Sequence, residues 1–185
     1  MQTRFYPIAL MLFLGIGLTP IYSTAQPVLV PDYTEVTDER LLNPEPHNWL
    51  SYRGTLDGWG FSRLNEIDDS NVQQLEPVWS FSTGVLGGHE APPIVNNGVM
   101  FVTTPGNRVY AIDAASGDLL WRYQHDLPET YIAFHRTNRG VALYGDKVYT
   151  ATLDARVVAL DASTGRKVWD STVQDNNFGY YITMA

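Results

Sequence analysis

The sequence predicts an all-β chain assembled from repeated four-stranded units, and three observations carry that reading. First, one block is written twice at an offset of 48 residues. Arg108-Val-Tyr-Ala-Ile-Asp-Ala-Ala-Ser-Gly-Asp-Leu-Leu-Trp121 returns without a gap as Arg156-Val-Val-Ala-Leu-Asp-Ala-Ser-Thr-Gly-Arg-Lys-Val-Trp169. Second, short runs rich in Val, Tyr, Trp, Thr and Ile follow one another from Val78 onward. Turn signals such as Asn96-Asn97-Gly98, Pro105-Gly106-Asn107 and Gly145-Asp146-Lys147 separate them. Third, no segment holds a helical apolar period over ten residues. About four strands in a fixed period of this length make a propeller blade, a unit that cannot bury its faces alone.

Taken in order, the chain opens on Arg4, an apolar run from Phe5 to Leu18 and the small residues Ser23-Thr24-Ala25. This is the pattern of a signal peptide over residues 1–25, with Gln26 as the expected mature start. The apolar run is short for a membrane span, and Pro7 and Pro20 sit badly in one. Residues 26–47 are polar, proline-bearing and without period, so they read as an arm or linker. Asp68 to Leu75 is expected to form one helical turn capped by Asp69 or Ser70. Strands are expected at Val78–Ser82, Val99–Thr103, Arg108–Asp113, Leu119–Gln124, Val141–Tyr144, Lys147–Thr152, Arg156–Asp161 and Lys167–Val173.

The repeat has a mechanical reading. Asp113 and Asp161 stand where a strand runs into a turn, and an Asp carboxylate there can accept backbone N–H groups just ahead. Gly117 and Gly165 supply the positive φ that lets the next strand begin. Ala111 and Ala159 leave room for a ring, and Trp121 and Trp169 are the rings expected to dock on the Ala-x-Asp strand of a neighbouring blade.

Composition narrows the function. With 12 Lys and Arg against 20 Asp and Glu, the net charge is −8, becoming −9 once Arg4 is removed with the signal peptide. An acidic chain repels phosphate backbones, which argues against nucleic acid. There is no cysteine, so neither a disulfide, a thiolate metal site nor a lipid-acylated cysteine is available. His89 and His135 lack metal-ligand spacing and read as polar loop residues. Gly84-Val-Leu-Gly-Gly88 does not open a helix and is not a phosphate loop.

The motif Ala-x-Asp-Ala-x-Thr/Ser-Gly-x-x-x-Trp is similar to the tryptophan-docking repeat of quinoprotein dehydrogenases. Those proteins are eight-bladed β-propellers that hold pyrroloquinoline quinone (PQQ) over the central axis. Further stretches resemble the methanol and ethanol dehydrogenase branch: Trp49-Leu-Ser-Tyr52 with Gly58-Trp59-Gly-Phe61-Ser-Arg63; Val78-Trp79-Ser-Phe-Ser-Thr-Gly84; Gly88-His-Glu-Ala-Pro-Pro-Ile-Val95; and Thr137-Asn-Arg-Gly-Val-Ala-Leu-Tyr-Gly-Asp-Lys-Val-Tyr149. The resemblance covers most of residues 48–185, which it reads as an incomplete propeller of two to three blades that stops at Ala185 where the family continues.

By that resemblance, Glu90 and Arg139 match cofactor-contacting residues, and Thr183 matches a threonine bonded to a PQQ carboxylate. The chemistry suits each, because PQQ is a tricarboxylate, arginine pairs with carboxylates through a planar fork, and threonine adds a neutral donor. A glutamate beside that anion must accept from the pyrrole N–H or carry a proton. The family's adjacent cysteine pair is replaced by Ala133-Phe134, and Phe134 is expected to take over its contact with the PQQ ring. The resemblance further implies a periplasmic enzyme oxidising alcohols to aldehydes by hydride transfer to the quinone. It also implies a calcium or lanthanide ion, and a cytochrome c or membrane quinone as electron acceptor. The catalytic base and metal ligands are expected beyond Ala185, so this stretch alone should be inactive. The alternative reading is a non-catalytic PQQ-like propeller that scaffolds outer-membrane assembly.

Overall fold

A computed structural model describes residues 29–30 and 32–184; the signal-peptide expectation for residues 1–25 lies outside them. Eight strands form two four-stranded antiparallel sheets, each a meander. The first holds β1 (Ile94–Asn96), β2 (Val99–Thr104), β3 (Arg108–Asp113) and β4 (Leu119–Gln124). The second holds β5 (Ala142–Tyr144), β6 (Lys147–Ala151), β7 (Arg156–Asp161) and β8 (Lys167–Thr172). These are two propeller blades, and the written repeat is their β3–β4 and β7–β8 hairpins. Even the irregularity repeats: the register shifts between Ala111 and Ile112 in one hairpin and between Ala159 and Leu160 in the other.

The second strand of each blade buries mostly alternate residues, while the third buries a consecutive run, Val109 to Ile112 in β3 and Val158 to Leu160 in β7. Phe101, Trp121, Val148, Val158 and Leu160 are fully buried, and the Phe101 and Trp121 rings meet at 5.8 Å. Trp121 carries the joint between the blades. Its indole N–H donates to Ala162 O at 2.8 Å, and its ring lies on Gly165, where a Cβ would overlap it. Gly165 also has φ +68°, so glycine is required there twice over. The turn that receives the ring is fixed as the sequence predicts. Asp161 Oδ1 accepts from the Thr164 N–H at 2.9 Å and from its hydroxyl at 2.8 Å. Asp113 Oδ1 accepts from the N–H groups of Ala115 and Ser116 at 2.8 and 2.9 Å.

Two details correct the docking expectation. Ala111 and Ala159 are the cross-strand partners of Trp121 and Trp169 within the same sheets. The small residues therefore make room for their own blade's ring, while the neighbouring blade receives Trp121 on its Ala162–Gly165 turn. Trp169 packs on Tyr149 of its own blade at 5.9 Å, stays 41% exposed and docks on no other blade among the described residues.

Further corrections concern the elements. No strand forms over Val78–Ser82. The segment is extended and uses side chains in place of a backbone ladder. Trp79 donates its indole N–H to Ala114 O at 3.1 Å and covers Gly117, while Phe81 meets Tyr110 edge-on at 5.5 Å. Trp79 thus repeats at the first blade what Trp121 does at the second. The strand β1 was missed because it is three residues long and follows a Pro-Pro pair. The expected helical turn is a 3₁₀ turn at Val72–Gln74 with Asn71 at its start, and neither Asp69 nor Ser70 caps it. Asp68 instead accepts from the Ser70 N–H at 2.8 Å, closing a local turn.

The arm is structured. It contains α1 (Asp38–Leu42), capped by Thr37, and it clips the two blades together. Val30 and Val36 are buried, Val36 and Gly145 exchange both backbone hydrogen bonds, and Val30 N–H donates to Ser163 O at 2.9 Å. On the first blade, Arg40 donates to Asn96 Oδ1 at 2.9 Å, and the Asn97 N–H donates to Asn48 Oδ1 at 2.7 Å. A buried pair makes a second tie, with His125 Nε2 3.0 Å from both carboxylate oxygens of Asp154 across the blade boundary.

Candidate functional site

The start of β1 and the β2–β3 turn lie at one end of the first sheet, as the start of β5 and the β6–β7 turn do in the second, and the Gly106 N–H of the β2–β3 turn donates to Arg136 O at 3.2 Å in the segment before β5. Glu90 precedes β1, Arg139 precedes β5, and Thr183 follows β8 after a 3₁₀ turn at Asn176–Phe178. Each of the three therefore sits on a loop at that end, held by a rigid sheet behind it.

They meet. Arg139 Nη2 lies 3.0 Å from Glu90 Oε2, and Arg139 Nη1 donates to Thr183 Oγ1 at 2.7 Å. The backbone repeats the second contact, since Arg139 N–H donates to Thr183 O at 2.9 Å. Gly140, at φ +133°, then turns the chain into the second blade. Both charged side chains are nearly half exposed, at 44% for Arg139 and 45% for Glu90. The cluster thus faces open space and is accessible to a ligand.

The arrangement explains the glutamate. Its charge is met by the Arg139 guanidinium. The Arg139 fork donates one N–H to Thr183 and meets Glu90 as an ion pair at Nη2, which leaves further N–H groups for a ligand. Thr183 Oγ1 accepts from Arg139, so its own proton is free to be donated. Free guanidinium N–H groups and a hydroxyl side by side suit a carboxylate-bearing ligand. Beside them, a cleft of about 330 Å³ is lined by Tyr52, Arg53, His89 and Glu90. A larger cleft of about 670 Å³, lined by Leu86, Arg108, His125 and Arg136 among others, contains none of the three. The convergence of charge and donors makes the smaller one the relevant space.

Phe134 is 84% exposed and tilts over Tyr181 at 6.4 Å, so an aromatic pair spans the loops that carry Arg139 and Thr183. His89 bonds within its own loop, to Thr83 Oγ1 and Gly87 O, as a polar loop residue should. Sequence reasoning missed the docking role of Trp79, and it missed Asn176, whose side chain bonds the backbone of Ile132, Leu153 and Tyr180 beside the cluster. The signal for Trp79 was present: it precedes Gly117 by 38 residues, much as Trp121 precedes Gly165 by 44. Asn176 lies in an unpatterned polar stretch and left no signal. The residues present fit PQQ in kind, since the free donors match its carboxylates.

Blades joined by docked tryptophans define part of a β-propeller. A family described as "PQQ: Glucose/ethanol/alcohol dehydrogenase, beta-propeller domain" matches residues 49–171. The quinoprotein ethanol dehydrogenase of Pseudomonas putida is 37% identical over 180 residues, covering 96% of this chain and 28% of that protein. The quinoprotein alcohol dehydrogenase PedH of Pseudomonas putida is 42% identical over 158 residues, covering 83% of this chain and 27% of its own length. In solved structures, the quinohemoprotein alcohol dehydrogenase ADHIIG from Pseudomonas putida superposes with a TM-score of 0.75 at 38% identity, over 82% of this chain and 23% of that one. A europium-containing methanol dehydrogenase superposes with a TM-score of 0.74 at 33% identity, over 80% of this chain and 28% of that one. The chain belongs to the PQQ-dependent quinoprotein alcohol dehydrogenase family. It spans little more than a quarter of the length of those curated relatives. These relatives do not favour the assembly-scaffold alternative.

Proposed function

We propose that this chain forms part of the cofactor-binding wall of a PQQ-dependent alcohol dehydrogenase, with Glu90, Arg139 and Thr183 holding the cofactor. The observation that carries the reading is the meeting of these residues, drawn from three loops 49 and 44 residues apart, in one cluster joined by an ion pair and a hydrogen bond. Arg139 would pair with a PQQ carboxylate through its free N–H groups, and the Thr183 hydroxyl would donate to the same or an adjacent oxygen. Glu90 would hold the guanidinium in place and accept from the pyrrole N–H. Phe134 and Tyr181 would border the ring. When bound, PQQ would supply the hydride-accepting quinone, and a calcium or lanthanide ion would polarise its carbonyl. The reading extends to a small alcohol as substrate, to a cytochrome c or membrane quinone as electron acceptor, and to the periplasm as the place of work. The signal-peptide pattern of residues 1–25 supports the last of these.

The test is titration of the full-length, metal-loaded apoprotein with PQQ, followed by cofactor absorbance. Saturable binding is expected. Arg139→Ala should weaken it by about 1.5–3 kcal/mol, the range for hydrogen bonds to a charged group. An unmoved affinity in that variant would sink the assignment of Arg139.

A further inference from the structure

Asn176 opens the short 3₁₀ turn that follows the second blade, and its side chain touches three separate stretches of backbone. Its Oδ1 accepts from the Ile132 N–H at 2.8 Å. Its Nδ2 donates toward Ile132 O at 2.9 Å, Leu153 O at 3.1 Å and Tyr180 O at 2.6 Å. The three carbonyl partners fix which end of the amide is nitrogen. No other side chain of this size combines an acceptor with a two-proton donor. Aspartate would set a carboxylate against three carbonyl oxygens, and alanine would leave all four groups without these bonds.

The stretches joined are those that bear on the cluster. Ile132 lies seven residues before Arg139, and Tyr180 lies three before Thr183. Leu153 belongs to the β6–β7 turn of the second blade, is fully buried, and is the fixed point of the three. Beyond Tyr180 the chain is laid on the same turn, since Ile182 N–H donates to Thr152 O at 3.2 Å, and it reaches Arg139 through the Arg139–Thr183 backbone bond. The amide thereby sets where the Thr183 hydroxyl stands relative to the Arg139 fork.

We propose that Asn176 is a positioning residue for the cofactor, which pins the Arg139 and Thr183 loops to the second blade and acts through the Thr183 hydroxyl. The proposal rests on the reading of Glu90, Arg139 and Thr183 as a PQQ site. Its test is a double-mutant cycle on the full-length, metal-loaded apoprotein, with PQQ binding read by cofactor absorbance. Asn176→Ala should raise the dissociation constant about tenfold or more, the scale of several hydrogen bonds lost at once. In a Thr183→Val background the same change should cost at most about twofold, because the hydroxyl it positions is gone. Thr183→Ser, which keeps the hydroxyl, should restore the full effect of Asn176→Ala.

Equal loss in the wild-type and Thr183→Val backgrounds would overturn the proposal and leave Asn176 as general scaffolding. So would an unchanged dissociation constant in Asn176→Ala while the wild type binds. Absence of PQQ binding by the wild-type protein would overturn the site reading and this proposal together. If Asn176→Ala does not fold by far-ultraviolet circular dichroism, Asn176→Ser enters the same cycle with the same outcomes.

Discussion

Gly165 and Trp121 show how a single position can decide whether two blades join. A methyl at Gly165 meets the indole ring and sits at a φ that L-residues resist. Gly165→Ala in the full-length protein is therefore expected to cost about 2–4 kcal/mol, from backbone strain and overpacking combined. A denaturant midpoint within error of wild type would contradict it. Trp121→Phe keeps a ring but leaves Ala162 O without its donor, and is expected to cost about 1–3 kcal/mol. At the candidate site, Phe134 is mostly exposed and pairs only with Tyr181 among the aromatic rings described. Phe134→Ala should leave thermal stability unmoved and weaken PQQ binding about two- to tenfold, the worth of one aromatic contact. Unchanged affinity would remove Phe134 from the cofactor's surroundings.

The arm is the element whose behaviour departs furthest from its sequence. It lacks apolar period, so nothing in its pattern announces a partner; isolated apolar residues, Val30 and Val36, enter the core, and polar contacts to the blade turns complete the docking. Arg40 donates to both Glu45 and Asn96, and Asn48 reaches both Glu45 and Asn97. The Arg40 guanidinium first, and the Asn48 amide second, hold the Glu45 carboxyl down at about 2. Its unfolded value is near 4.3, so the folded arm binds this proton less readily than the free chain does. The contribution is thus complete above about pH 5 and is lost as pH falls toward about 2. Hydrogen-exchange protection of residues 36–48 in the full-length protein should fall over that window, and Glu45→Gln should abolish the pH dependence. Protection that stays level in the wild type would contradict the role of Glu45.

The strands were legible where the arm was not. Arg108–Asp113, Leu119–Gln124 and Arg156–Asp161 were readable to the residue because β-rich runs end there on Asp, Gly and Asn turns with defined backbone demands. The segment around Trp79 misled because its alternation is that of a strand, while its partners are side chains and a carbonyl of the blade. Glu90, Arg139 and Thr183 were singled out through family resemblance alone, and the structure brings them together. Their residue types carry no local pattern, and only the fold brings them within hydrogen-bonding distance. Asn176 was illegible for the same reason, since its importance lies wholly in which backbone groups surround it.

At the scale of the molecule, two blades expose what a propeller covers. Trp59, Phe61, Val78 and Trp169 are exposed, and the last strand of the second blade faces solvent along most of its length. Repeat units of this kind need neighbours on both sides. Residues 26–185 produced alone are accordingly expected to aggregate or to melt without cooperativity, and a sharp thermal transition in a monomeric sample would contradict this. The central claim is that Glu90, Arg139 and Thr183 form one wall of the cofactor site. A crystal structure of the full-length protein grown with PQQ tests it most directly. The account predicts a PQQ carboxylate within hydrogen-bonding distance of Arg139 and the Thr183 hydroxyl, with Glu90 still paired to the guanidinium. PQQ bound away from these residues, or side chains turned from it, would contradict the account.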